Sequence, residues 1–92
     1  MSASSEQVAE AAATVPAGVA LHARPAGIVS REAMGFASAI TLTAGERQAD
    51  AKSVLRVMAL GAEGGMTIAI RAEGEDAAAA AARIAELIDR LA

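Results

Sequence analysis

Cysteine is absent from this chain, which excludes disulfides and thiolate metal sites. Tryptophan and tyrosine are absent too, and Phe36 is the only aromatic residue. With a single histidine, His22, and no cysteine, the ligand set of a structural or catalytic zinc ion is lacking. No apolar run approaches the ~20 residues of a membrane span. The opening stretch, "MSASSEQVAEAAATVP", has no basic start and carries Glu6 and Glu10, unlike a secretory signal or an Arg-rich transit peptide. Together these absences point to a soluble cytoplasmic protein with no metal and no cofactor.

What is present bounds the rest. A length of 92 residues suits one small domain with a single thin core, too small for a deep substrate cavity. We expect residues 8–92 to form that domain and residues 1–7 to be a loose end. The hydrophobic fraction is 54%, but much of it is alanine, so many contacts must be small. The net charge of −3 argues against nucleic acid as the main partner. That charge is unevenly placed. Residues 24–56 carry Arg24, Arg31, Arg47, Lys52 and Arg56 against only Glu32, Glu46 and Asp50. Residues 57–92 hold Arg71, Arg83 and Arg90 against a surplus of acids.

Hydrophobic periodicity alternates along the chain. Residues 8–15 ("VAEAAATV") are ambiguous, because alanine favours helix while Val15-Pro16 and Gly18 mark an end. From Ala23 to about Phe36 the spacing of Ala26, Val29, Ala33 and Ala37 predicts a helix. "SAITLTA" (38–44) alternates as a strand, and Gly45-Glu46 suits a hairpin turn into "RQADA". Ser53 to Leu60 reads as a short helix closed by Gly61. Residues 64–74 alternate again. A last helix opens with Glu75 and Asp76, with a stripe at Ala77, Ala80, Ala81, Ile84, Leu87, Ile88 and Leu91. If residues 8–15 are a strand, the order is βαββαβα, a two-layer α+β sandwich with every helix on one sheet face.

His22 stands out within "ALHARPAG" (20–27) because it falls at the N-cap of the first helix. The free N–H groups of Ala23 and Arg24 would face an anion held on or near the imidazole. Pro25 is tolerated in a first turn and stiffens it. Arg24 adds a guanidinium able to pair with phosphate. A nucleophilic ring, two amide donors and a guanidinium suit a phosphoryl group carried on the histidine itself. A surface capping histidine beside a solvated arginine fits the same residues. Ser53 has two readings as well, the N-cap of its short helix and a site of regulatory phosphorylation. On that helix Val57 and Leu60 make the stripe to be buried, while Val54, Leu55 and Met58 form either a docking surface or more core.

"LHARPA" (21–26) closely resembles the active-site motif of the HPr family. Its members are the histidine-phosphorylatable phosphocarriers of the bacterial phosphoenolpyruvate-dependent sugar phosphotransferase system. "ADAKSVLRVMALGA" (49–62) resembles the family's regulatory-serine helix, at a matching spacing. The resemblance implies an open-faced β-sandwich, a four-stranded antiparallel sheet with three helices on one face. It implies that His22 is phosphorylated on Nδ1, that Arg24 stabilises the phosphoryl group, and that Ser53 matches the serine modified in some members. The implied partners of this monomer are enzyme I, a IIA-type component and a serine kinase or phosphorylase. Gly27, Arg31, Val54, Leu55, Arg56 and Met58 would line the docking surface. Relay within a dihydroxyacetone, fructose or nitrogen-related branch, or purely regulatory binding through Ser53, stands as an alternative. Val19 and Ala20 depart from the family, which usually has Gly at the second of these places and often Ser or Asn at the first. Arg56 stands where many members have Gly or Lys.

Overall fold

The computed structural model describes residues 7–91, with the element order βαββαβα. The elements are β1 (Val8–Thr14), α1 (Ala23–Met34), β2 (Ala39–Ala44), β3 (Arg47–Asp50), α2 (Val54–Ala59), β4 (Thr67–Glu73) and α3 (Ala77–Asp89). All three strand pairings are antiparallel, in the spatial order β1-β4-β2-β3. The expected open-faced arrangement is the observed one. Of the segment expected to be loose, residues 1–6 lie outside the described residues. Gln7 is tied down, its carbonyl accepting from the Gly74 N–H at 2.9 Å.

The ambiguous first segment is a strand. Each residue from Val8 to Thr14 has a partner on β4, so the ladder satisfies a backbone that alanine alone would have allowed to coil into a helix. One sheet face is core. Ile40 and Leu42 of β2 and Ile68 and Ile70 of β4 are fully buried there beneath Ile84 and Ile88 of α3. Ala77, Ala80 and Ala81 let α3 lie close to the sheet. α1 packs against α2 and α3 through Ala26, Val29 and Ala33. The opposite sheet face is open to solvent, and on it Arg71 of β4 joins Glu10 of β1, its direct cross-strand neighbour, at 3.0 Å.

Two sequence expectations shift at helix ends. α1 stops at Met34, with Gly35 as its C-cap, so Phe36 and Ala37 lie beyond it. Phe36 still packs partly on the core, whereas Ala37 is exposed and Ser30 takes the fourth place on the buried face. At the other end, α3 begins at Ala77 and neither Glu75 nor Asp76 lies in its first turn. The Asp76 carboxylate makes no bond to its own helix and reaches across to Ala37 and Ser38 instead.

Candidate functional site

The segment between β1 and α1 is built to hold one residue at a helix start. Val15 donates its N–H to Met66 O at 2.9 Å, and Leu21 donates to Ala62 O at 3.0 Å. Between these anchors Val19 N–H closes a turn onto Pro16 O, with Gly18 at φ +81 in the position where a type II turn requires a positive φ. Gly64 crosses beneath this turn. A Cβ there would lie 2.8 Å from Gly18 N and Pro16 O. Thus Gly18 supplies the local freedom that Val19 and Ala20 lack. Ala20 bridges to Glu63, and Val19 packs partly on the core.

His22 then caps α1 with an extended backbone, φ −81 and ψ −165. Its carbonyl accepts the first helical bond, from Ala26 N–H at 2.8 Å. Its ring is exposed and makes no hydrogen bond to any described residue. The N–H groups of Ala23 and Arg24 have no acceptor one turn back, and Pro25 has no N–H to satisfy. His22, Arg24 and Pro25 line a cleft of about 600 Å³.

The far wall of that cleft was not legible in the sequence. It is made by Ile28 of α1 and by Leu87, Arg90 and Leu91 at the end of α3. Leu87 and Leu91 continue the α3 stripe but are only half-buried, because they stand at the cleft rather than under the sheet. Persistence of the stripe past Ile88 was the one signal, and nothing local pointed it at His22.

The second motif forms α2. Ser53 is its N-cap, the hydroxyl accepting from Arg56 N–H at 3.2 Å. Val57 and Leu60 are buried, while Leu55 is 78% exposed and Val54 and Met58 lie at the surface beside it. Gly27 and the exposed Arg31 lie on α1, against which α2 packs. Arg24, Arg31 and Arg56 make no ion pair among the described residues, whereas Arg71, Arg83 and Arg90 all do. Arg47 of β3 also makes none and donates to Ala59 O at 3.3 Å, which leaves Arg24, Arg31 and Arg56 as the unneutralised arginines of α1 and α2. They do not share one cleft. Arg56 lines a separate one of about 600 Å³ with Lys52, Gln48 and Asp50, at the sheet edge where β3 ends.

Residues 9–90 match the family described as "PTS HPr component phosphorylation site". The chain belongs to the HPr family. The match encloses both motifs, His22 in the first and Ser53 in the second. The HPr phosphocarrier protein of Mycoplasma capricolum is 48% identical over 59 residues, 64% of this chain and 66% of that protein. The HPr of Haemophilus influenzae is 39% identical over 71 residues, 77% of this chain and 84% of that protein. The crystal structure of an HPr phosphocarrier protein from Bacillus anthracis superposes with a TM-score of 0.81 at 30% identity, covering 87% of this chain and 95% of that one. The open-faced βαββαβα sandwich is thus the HPr fold. No helix among the described residues is long and apolar enough to cross a membrane.

Proposed function

We propose that the chain is a histidine phosphocarrier of the phosphotransferase system, taking a phosphoryl group from phosphorylated enzyme I onto His22 and passing it to a IIA-type acceptor. One observation carries this reading: an exposed imidazole at a helix N-cap shares a cleft with the Arg24 guanidinium, and neither is bonded to another side chain among the described residues. In uptake, the lone pair of Nδ1 on the neutral ring attacks phosphorus while Nε2 keeps the ring proton. The N–P bond forms as the donor's bond to phosphorus breaks, and the donor group leaves with that electron pair. Charge spreads over the three oxygens in transit. The N–H groups of Ala23 and Arg24 and the Arg24 guanidinium offer them charge-assisted donors at a helix N-terminus. Delivery to the acceptor reverses these steps.

Donor and acceptor must both reach His22, so one surface serves them in turn. Val54, Leu55 and Met58 give it an apolar centre, with Gly27, Arg31 and Arg56 on the same two helices. Ser53 opens the helix that bears this surface, which favours a second role as a site where a serine kinase adds charge and a phosphorylase removes it. The protein acts as a cytoplasmic monomer.

Incubation with phosphoenolpyruvate and enzyme I, followed by intact-mass measurement, tests the carrier role. One acid-labile phosphoryl group is expected on the parent and none on His22→Ala. Arg24→Ala should slow transfer roughly ten- to a hundredfold through a lost charge-assisted contact. A parent that gains no mass overturns the carrier role, and uptake by His22→Ala overturns the choice of residue.

A further inference from the structure

We propose that Arg90, at the end of α3, is a second guanidinium for the phosphoryl group on His22, held by Glu86 until that group arrives. The inference rests on the phosphocarrier reading. Its basis is the cleft, which Arg90 lines together with His22 and Arg24. Arg90 does not sit there as a loose end. The residue before it, Asp89, accepts from the Thr14 N–H at 2.9 Å, so the last turn of α3 is pinned to the end of β1. β1 leads directly into the segment that carries His22, whose next residue, Val15, is bonded to Met66. The helix end and the histidine loop therefore share one anchor. Leu87 and Leu91 form the apolar wall around Arg90 and leave its charged group at the rim.

The present partner of Arg90 is a weak one. Glu86 Oε2 lies 3.5 Å from the guanidinium, the longest ion pair among the described residues, and the Arg90 side chain is 77% exposed. The other oxygen of Glu86 is already engaged by Arg83 at 3.1 Å. A phosphoryl group brings three acceptor oxygens and up to two negative charges, a stronger attraction than half of a shared carboxylate. Arrival of the group should thus draw Arg90 from Glu86 and stabilise the phosphorylated form over the free one.

The test is the phosphotransfer equilibrium between enzyme I and the chain, read by intact mass at a fixed ratio of phosphoenolpyruvate to pyruvate. Arg90→Gln should lower the ratio of phosphorylated to free chain by roughly two- to fivefold, as suits an exposed charge pair. Glu86→Gln should raise that ratio, because it releases Arg90. In the double variant the Glu86→Gln gain should vanish, since Glu86 acts through Arg90. A parental ratio for Arg90→Gln overturns this role of Arg90 and leaves the carrier reading standing. A parent that takes no phosphoryl group at all overturns both. If circular dichroism shows Arg90→Gln unfolded, Glu86→Gln decides alone, and a parental ratio there overturns the proposal.

Discussion

The Asp76 carboxylate holds Ser38, 38 positions earlier in the chain, through the Ser38 N–H at 2.9 Å and its hydroxyl. Its second oxygen accepts from Ala37 N–H at 2.9 Å. The start of β2 and the start of α3 are thereby tied at one corner of the sheet. Contact there is close enough to need a glycine. At Gly74, where φ is +147, a Cβ would stand 2.8 Å from Ser38 Cα.

This corner makes stability depend on acid pH. The Ser38 hydroxyl, then the Ala37 amide, hold the Asp76 carboxyl below its ordinary value of 3.8. A folded-state pKa below the unfolded one contributes stability that is complete above the ordinary value. The contribution is lost as pH falls through the folded value. Asp76→Asn should therefore melt below the parent at neutral pH, and the gap should narrow below about pH 4. Thermal melts across that range check it; a gap that stays constant with pH would sink the claim.

Ser53 can be separated into cap and surface. Ser53→Ala removes the acceptor for Arg56 N–H and should cost about 1 kcal/mol of stability. Ser53→Asp keeps an N-cap acceptor and should hold parental stability while slowing phosphorylation of the chain by enzyme I. Denaturant melts measure the first effect and transfer rates the second. Parental transfer by Ser53→Asp would leave Ser53 as a cap only.

Leu55 is the most exposed of the large apolar side chains on α2, and Arg31 is a cation on α1 with no ion pair among the described residues. Leu55→Glu and Arg31→Glu should each impair transfer both to and from the chain without changing its circular dichroism. Rising salt should slow association of the parent by screening its arginines, and slow Arg31→Glu less. If both variants stay folded and both transfer steps run at parental rates, docking lies elsewhere.

Ser30 lies on the buried face of α1, and its hydroxyl has no partner among the described residues. Ser30→Ala removes an unsatisfied buried polar atom and adds helix propensity, so a gain of about 1 kcal/mol is expected. In a domain of this size that is a rise of roughly 4–8 °C in Tm. A lower Tm for Ser30→Ala would show that the hydroxyl makes a stabilising contact.

Local pattern carried the order of the elements after the first, because period-2 and period-3.6 burial and helix caps are properties of neighbouring residues. It placed His22 at a helix start and picked Val57 and Leu60 as the buried pair of α2, since a two-turn helix on a sheet favours one buried stripe. That Val54, Leu55 and Met58 stay at the surface instead of joining the core was decided by the packing of α2. The strand state of residues 8–14 needed β4, since alanine is indifferent until a ladder claims its backbone. Likewise Asp76 reads as a helix-start acid until the fold sets Ser38 before it. The end of α3 comes to the cleft of His22, while Arg56 turns to another cleft from Arg24. Those adjacencies follow from the strand order β1-β4-β2-β3, which the backbone ladders set and no spacing of side chains along the chain encodes.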